Sequence, residues 1–218
     1  MLSREQARAF YDRFGSKQDW QSFYEDPATA GLIAHADFGN AGSVFEFGCG
    51  TGRFAEKLFE HHLPSSASYL GIDISSTMVE LARPRLLRFG ERAEVRLTEG
   101  EPKFDVKGGG FDRFVSTYVL DLLSFDDIRS VIAEAHRMLA PGGLVGFASL
   151  TRGQTGLSRL VGKAWMGLYS IRPSLVGGCR PISLLEFLPD SEWKIRHAGQ
   201  ITSFGISSEV IVAEMLLA

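Results

Sequence analysis

A glycine-rich turn is the segment whose residue types and spacing most clearly indicate chemistry. Residues 44–52 read Val-Phe-Glu-Phe-Gly-Cys-Gly-Thr-Gly, a short apolar run followed by three glycines at alternating positions. Glycine tolerates positive φ and lets the backbone approach a ligand closely, and the free N–H groups at the start of a following helix would face the same ligand. The pattern predicts a strand that ends at a ligand-binding turn; a bare strand-to-helix turn is the alternative.

Two acids near this turn narrow the class of ligand. In the dinucleotide fingerprint GxGxxG the third glycine comes one position later than it does in Gly48, Gly50 and Gly52. Glu46 precedes the first glycine, where a carboxylate would repel a pyrophosphate. Asp73 ends the next apolar run, where it could accept both hydroxyls of a ribose. We therefore expect a nucleoside with a cationic tail rather than NAD.

The elements that must position these residues alternate along the chain. Apolar runs predict five strands, at 44–47, 69–72, 93–97, 111–119 and 144–150, and helical patterns separate most of them. Such alternation is typical of a parallel α/β sheet. Two further runs, 193–201 and 209–217, predict an antiparallel pair at the sheet edge.

The remaining segments complete a single predicted domain over residues 1–218. Residues 1–40 are helical and rich in aromatic side chains, which predicts a lid over a core at 41–150. Residues 151–190 are too long for a simple connection and predict an inserted substrate cap. Residues 191–218 then form the terminal β-hairpin.

Composition excludes several classes of protein. The 218 residues carry 23 Lys and Arg against 26 Asp and Glu, and this net charge of −3 argues against a DNA-binding role. Cys49 and Cys179 lie too far apart for a CxxC pair, and two cysteines form no disulfide framework. No apolar run approaches ~20 residues and the N-terminus has no apolar signal core, so we expect a cytoplasmic protein without integral membrane association.

Three motifs together resemble the class I S-adenosylmethionine-dependent methyltransferases. They are Glu46–Gly52, the strand end Tyr69–Ser75 and the Leu-Ala-Pro-Gly-Gly run at 139–143, in the order and spacing of that family. The resemblance covers roughly residues 40–150. It implies an α/β Rossmann-like fold with a mostly parallel seven-stranded sheet in the order 3-2-1-4-5-7-6 and helices on both faces. It also implies S-adenosyl-L-methionine as cofactor and S-adenosyl-L-homocysteine as product.

The resemblance also implies roles for individual residues. The methionine and ribose parts of the cofactor would contact Glu46, Gly48, Cys49, Gly50 and Gly52, with Asp73 on the ribose hydroxyls. The adenine would pack on Ile74 and Met78. Its amino group would lie near Glu99 or Gly100, although Thr-Glu-Gly-Glu replaces the commoner Gly-Asp-Ala there. Ser116 and Thr117 would lie under the methionine. Outside the resemblance, the aromatic N-terminal segment would close the site from the other side, with Tyr11 on the cofactor and Tyr24 on the substrate.

Catalytic groups are less clear in the sequence. Many relatives carry histidines just beyond the fourth strand, where this chain has Asp121. Asp121 could orient or deprotonate an acceptor, or it could cap the turn before Ser124; His35 is a second candidate base. The histidines have no metal-ligand spacing with carboxylates, so we expect no metal. The Asn/Asp-Pro-Pro-Tyr/Phe motif of DNA-base and glutamine methylation is absent from the sequence after the fourth strand.

An acid-free segment suggests where the acceptor binds. No Asp or Glu occurs between Glu134 and Glu186, and cations and aromatics alternate there. This composition suits an acceptor with an anionic group and an apolar body. An anionic membrane surface or a solvated helix are the alternatives. The candidate substrate residues in this segment are Arg152, Trp165, Tyr169 and Arg180.

These observations favour an enzyme that transfers a methyl group to a small, partly apolar acceptor. A protein or RNA acceptor, a catalytically silent cofactor-binding protein and an NAD-linked oxidoreductase are the alternatives. The acceptor atom, and whether the protein is a monomer or a homodimer, stay open at this stage.

Overall fold

Seven strands form one sheet in the computed structural model, which describes residues 1–217. The sheet order is 3-2-1-4-5-7-6, which confirms the order implied by the family resemblance. β7 runs antiparallel to both of its neighbours, and the other pairings are parallel. The strands are β1 (Ser43–Phe47), β2 (Ser68–Asp73), β3 (Ala93–Leu97), β4 (Phe111–Thr117), β5 (Leu139–Leu150), β6 (Trp193–Ser203) and β7 (Ile206–Met215).

Helices cover both faces of this sheet. Because side chains alternate along a strand, Val44 of β1 points to one face, and Phe45 and Phe47 point to the other. The first face packs against α2, α3 and α4, and the second packs mainly against α5. The helices are α1 (Arg4–Phe14), α2 (Ser22–His35), α3 (Arg53–His61), α4 (Ser76–Leu86), α5 (Phe125–Met138) and α6 (Gly156–Ile171).

Several strand ends differ from the sequence-based expectation by one to five residues, and three of these differences, in β4, β5 and β7, have a visible cause or consequence. β4 was expected to reach residue 119 but ends at Thr117, because Tyr118 adopts a left-handed conformation with φ 56°. β5 begins at Leu139, before the Pro-Gly-Gly run, and its pairing with β4 shifts register there. β7 begins three residues early, at Ile206, because a turn of only two residues links it to β6. Residue 218 of the expected hairpin lies outside the described residues.

The N-terminal segment divides into two parts. α1 and the 3₁₀ turn at 15–21 lie against α4, next to the strand ends, whereas α2 packs on β5, β6 and β7. Residues 151–190 contain α6 and two short 3₁₀ turns. Within residues 1–217, no helix combines the length and apolarity needed to cross a bilayer.

Candidate functional site

A cavity of about 510 Å³ lies where β1, β2 and β4 end. Parallel strands bring their carboxyl ends to one edge of the sheet, so the turns that follow them share this space. The wall includes Gly48, Cys49 and Gly50 after β1, the end of β2 at Asp73 with Ile74 beyond it, and other residues from α1, α3 and α4. The structure therefore brings together most of the residues predicted to hold the cofactor, including Met78 and Thr117.

The three glycines of the turn have different environments. All have positive φ: 79° at Gly48, 52° at Gly50 and 76° at Gly52. A Cβ atom at Gly50 would meet nothing within 4 Å, so this position leaves open space on the cavity wall. Gly52 lies outside the wall, and a Cβ there would be 3.1 Å from the Cβ of Ala82 on α4. Gly50 thus suits close approach of a ligand, whereas Gly52 allows two helices to pack.

Asp73 is held rigidly at the cavity edge. The backbone N–H of Gly50 donates to Oδ2 across 2.8 Å, and that of Ser75 donates to Oδ1 across 2.9 Å. Burial raises the pKa of this carboxyl to about 6 despite these bonds. A carboxylate oxygen has two lone pairs, so each oxygen of Asp73 can still accept a hydroxyl proton from a ligand. The donor set therefore fits a ribose.

Acidic groups dominate the cavity wall. Glu46 is buried and accepts the phenol hydrogen of Tyr69 across 2.6 Å, and burial raises the pKa of Glu46 to about 8. Eight carboxyl groups but only three Lys and Arg side chains line the cavity. This charge balance favours a cationic ligand over a pyrophosphate. The eight are Asp19, Glu25, Asp26, Glu46, Glu56, Glu60, Asp73 and Asp127.

A second part of the wall carries tyrosines and a buried acid. Tyr11 and Tyr118 both line the cavity, and the Tyr118 hydroxyl is 2.8 Å from Ser208 Oγ. Glu25 accepts a hydrogen bond from Gln18 across 3.2 Å, and burial raises the pKa of Glu25 to about 8. Tyr24 does not line the cavity but packs edge-on against Tyr118, with ring centroids 5.6 Å apart.

Asp19 was not among the predicted site residues, yet it joins the N-terminal segment to the glycine turn. The Thr51 hydroxyl donates to Asp19 Oδ1 across 2.6 Å, and Arg85 of α4 donates to Oδ2 across 2.7 Å. Arg85 also donates to the Thr51 hydroxyl. Although partial burial acts to raise it, the hydrogen bonds from Arg85 and Thr51 hold the pKa of Asp19 below its usual range.

Two more aspartates of this segment make similar contacts, at seven-residue intervals from Asp19. Asp12 accepts the hydroxyl hydrogen of Ser75, the N-cap of α4, across 2.6 Å. Asp26 pairs with Arg53, the first residue of α3, across 2.7 Å. The seven-residue interval was the only sequence signal for these contacts.

The structure places Asp121 behind the cavity rather than on its wall. Its Oδ2 accepts the backbone N–H of Leu150 across 3.0 Å, and Oδ1 has no hydrogen-bond partner within residues 1–217. Burial raises its pKa to about 6. Arg180, predicted to bind the acceptor, donates instead to the carbonyls of Asp121 and Leu123. Both residues thus hold the loop after β4, which argues against contact with an acceptor.

His35 lies outside the cavity wall as well. It is exposed at the end of α2, and its ring stacks on His197 with centroids 3.7 Å apart. This position gives no support to His35 as a base. No cluster of three or more metal-ligating side chains occurs in the described part of the chain.

The other predicted substrate residues do not line the cavity either. Trp165 donates its indole N–H to the Cys179 carbonyl across 2.9 Å, and it lines a separate pocket of about 20 Å³. Tyr169 lies further along α6, and Arg152 is exposed just after β5. The acid-free segment therefore does not supply the cavity with anion-binding side chains.

Two of the predicted cofactor residues have other contacts. Glu99 is exposed and pairs with Arg8 across 3.1 Å, whereas the neighbouring Gly100 lines the cavity. Ser116 is buried and donates to the Phe47 carbonyl across 2.9 Å, between β4 and β1. Gly100, of the alternatives Glu99 and Gly100, therefore faces the cavity; of Ser116 and Thr117, both expected under the methionine, only Thr117 lines it.

Comparison with known proteins agrees with this geometry. Residues 45–145 match the family model described as a methyltransferase domain, and the match contains both the glycine turn and Asp73. Residues 45–145 form a methyltransferase domain. The family uses S-adenosylmethionine, and the glycine turn and carboxylates of the cavity fit it.

Relatives of the methyltransferase domain are known from sequence and structure. An uncharacterized methyltransferase of Bacillus cereus is 33% identical over 144 residues, which are 63% of this chain and 61% of the relative. The match thus spans about three-fifths of the relative's length.

Two solved structures share the fold of the methyltransferase domain. The N-methyltransferase NodS from Bradyrhizobium japonicum, in complex with S-adenosylhomocysteine, has a TM-score of 0.74 at 20% identity and covers 97% of this chain and 99% of its own. The [4+2]-cyclase SpnF has a TM-score of 0.75 at 15% identity and covers 100% and 98%. At these identities the likeness concerns the fold alone.

Proposed function

We propose that this protein is an S-adenosylmethionine-dependent methyltransferase that acts on a small, partly apolar acceptor. The observation that carries the proposal is the cavity itself, where a fixed Asp73 and an acid-rich wall accompany an open glycine turn. A volume of about 510 Å³ falls in the range of pockets that enclose small ligands. Such a pocket suits a small acceptor better than a polymer.

The chain's own residues would bind and orient the cofactor. Asp73 would accept the ribose hydroxyls, Ile74 and Met78 would pack on the adenine, and Gly48 and Gly50 would allow close approach of the methionine part. When bound, S-adenosylmethionine supplies a methyl group activated by its sulfonium charge. Because that methyl group is already activated, positioning of the reacting groups, rather than acid–base chemistry, would supply most of the rate.

The acceptor would face Tyr11, Tyr118 and Glu25. The pKa of Glu25, about 8, suits a group that takes a proton from an amine or hydroxyl near neutral pH. The aromatic rings would contact the apolar part of the acceptor. Because Arg152 and Arg180 lie off the wall, we propose an acceptor whose reacting group is neutral or basic rather than an anion.

The N-terminal segment would act as a lid. Residues 4–21 lie beside the cavity, and Asp12 and Asp19 reach across to α4 and to the glycine turn. We propose that these contacts open for cofactor exchange and close for transfer, so that water is excluded during the reaction.

The test separates binding from turnover. Thermal unfolding is measured with S-adenosylmethionine, S-adenosylhomocysteine and NADH; a ligand at ~100 times its Kd should stabilise the protein by ~2.7 kcal/mol. Methyl transfer from labelled cofactor is then followed into small-molecule and macromolecular fractions of an extract. Stabilisation by the adenosyl compounds with label in the small-molecule fraction is expected. Stabilisation by NADH alone, or label only in macromolecules, would contradict the proposal.

A further inference from the structure

An apolar stripe on α6 faces away from the sheet. Ser158, Val161 and Trp165 are at least half-buried and hold the helix against the body of the protein. A different set recurs at helical spacing along the outer side and is largely exposed, reaching 79% at Ile171. Monomeric proteins seldom expose such a contiguous apolar surface without a use for it. The stripe consists of Leu157, Leu160, Ala164, Leu168 and Ile171.

The β6–β7 turn extends this stripe. A Cβ atom added at Gly205 would lie 2.8 Å from Val161 and 3.8 Å from Leu157, so the turn lies against the start of α6. Phe204 at its tip is 78% exposed and packs edge-on against the exposed ring of Phe23, with centroids 5.4 Å apart. One continuous apolar surface therefore runs from Phe23 to the end of α6.

The conformation of Phe204 is costly. Both central residues of this turn have positive φ, 51° at Phe204 and 80° at Gly205, as a type I′ turn requires. Asparagine or glycine is favoured at the first of these positions, because a larger side chain is strained there. The turn thus places a strained, exposed aromatic side chain at its tip, where it stabilises no core. Backbone strain of this kind points to a function.

The charged side chains on α6 and next to its two ends are all cationic. Arg159 and Lys163 of α6, and Arg152 and Arg172 on either side of the helix, are exposed and make no ion pair within residues 1–217. No acidic residue lies between Glu134 and Glu186 to balance them. Near Phe23, Asp26 is already paired with Arg53. The partner must therefore be apolar and anionic at once.

We propose that this surface docks the protein on an anionic lipid bilayer, with Phe204 and the α6 stripe in the interface and the four cations on the headgroups. A helix with an apolar side, flanking cations and no acids is the composition of peripheral membrane anchors. A second copy of this chain would meet the same four cations on its own surface, so charge disfavours a symmetric dimer here. The proposal does not depend on the proposed function.

The experiment is co-sedimentation of the full chain with vesicles. Phosphatidylcholine vesicles are compared with vesicles that also contain phosphatidylglycerol, each at low and high salt. Binding only to the anionic vesicles, and loss of binding at high salt, are expected, because each surface cation contributes about fivefold to partitioning, and that contribution is screened by salt. Absence of binding to anionic vesicles at low salt would overturn the proposal.

Amino-acid substitutions test whether the vesicles bind to the proposed surface. Phe204→Asn keeps the turn favourable, so it should raise the melting temperature while reducing vesicle binding severalfold. Arg159→Glu combined with Lys163→Glu should reduce binding at least tenfold. Leu87→Ser, an equally exposed residue beside β3 at the other edge of the sheet, and Lys103→Glu with Lys107→Glu are the matched controls and should bind as the parent does.

Two results would contradict this assignment. Equal binding by the parent and both test variants would place the lipid contact elsewhere. A dimer in solution that Phe204→Asn dissociates would show that the apolar stripe is covered by a second copy instead.

Discussion

The hydroxyl of Thr51, in the glycine turn, donates a hydrogen bond to the carboxylate of Asp19, 32 positions earlier in the chain, across 2.6 Å. Arg85 completes a triangle by donating to both partners. The turn that would hold the cofactor is thus tied directly to the segment that lies beside the cavity. Substitutions can therefore distinguish groups that would contact the cofactor from groups that hold this arrangement together.

Asp19→Ala should accelerate dissociation of S-adenosylhomocysteine. The carboxylate is only partly buried, so we expect a loss of about 1 kcal/mol, which corresponds to roughly fivefold in rate. Stopped-flow displacement of the bound product measures this rate. Glu5→Ala changes an exposed acid of α1 that has no ion pair in the described part of the chain and serves as the control. Equal rates for all three proteins would mean that the segment does not retain the product.

Asp73→Asn should weaken cofactor binding. Loss of hydrogen bonds to a charged group costs about 1.5–3 kcal/mol, which is about 10–150-fold in Kd. Isothermal titration calorimetry with S-adenosylmethionine measures the change. Asp112→Asn is the matched control, because Asp112 also accepts two backbone N–H groups, from Gly42 and Ser43, but lies off the cavity wall. An equal loss of affinity in both variants would show an effect on folding alone.

Substitutions of two glycines in the turn should affect cofactor affinity and protein stability differently. Gly50→Ala adds a methyl group in open space, so only the left-handed conformation costs stability, by about 1–2 kcal/mol, while cofactor affinity falls sharply. Gly52→Ala causes a similar backbone strain and also places its methyl group 3.1 Å from Ala82, which is too close. It should therefore lower the melting temperature more than Gly50→Ala does. Calorimetry and thermal unfolding measure the two effects. The reverse order of melting temperatures would contradict this description of the turn.

Cofactor affinity should rise with pH between about 6 and 8. The pKa of Asp73 is raised to about 6 and the pKa of Glu46 to about 8, so a cation entering the cavity must displace protons from these groups. S-adenosylhomocysteine lacks the sulfonium charge and should show a weaker dependence. Calorimetry in buffers of different ionisation enthalpy counts the protons released. Uptake of protons on binding S-adenosylmethionine would contradict this prediction.

The stability of the ligand-free protein should fall as pH rises, whereas cofactor affinity rises. Glu46 keeps its proton up to about pH 8 in the folded state, whereas an unfolded chain releases it near the usual value of 4.5. Its contribution is therefore complete at low pH and is lost as pH rises through 8. Melting temperatures measured from pH 5 to pH 8 should fall, and Glu46→Gln should flatten that slope. An unchanged slope in Glu46→Gln would assign the effect to other groups, such as Glu25.

The sequence predicted the sheet more completely than it predicted the cavity. The positions of the strands and the glycine turn follow from local patterns, since each apolar run and each glycine acts within a few residues. The strand order, in contrast, was implied by the resemblance to a known family. Tyr118 is an example of what the sequence could not predict. Its left-handed conformation ends β4 early, and tyrosine is not a residue type that indicates such a conformation. Asp121 was a candidate because it follows β4, and Arg180 because it lies in the acid-free segment. In the structure the Asp121 carboxylate accepts the Leu150 N–H, and Arg180 donates to the carbonyls of Asp121 and Leu123.

There is also a physical reason why the candidate residues of the acid-free segment lie off the cavity wall. Composition shows that Arg152 and Tyr169 share a basic, aromatic stretch, but only packing decides which side of α6 faces inward. Trp165 turns inward to reach the Cys179 carbonyl, and the helix presents its cations to solvent as a result. Asp19 was missed for a different reason. The aromatic residues around it were the predicted ligand contacts of the N-terminal segment, and its partner Thr51 is distant in sequence.

Three aspartates seven residues apart fasten the N-terminal segment at three separate points, on α4, on the glycine turn and on α3. Such a segment can peel away from one end, breaking one contact at a time. If peeling is slower than the transfer of the methyl group, the enzyme will show a rapid first turnover, equal in amplitude to the number of active sites, followed by a slower steady rate. Catalytic output would then depend on how quickly the spent cofactor leaves rather than on which acceptor is used.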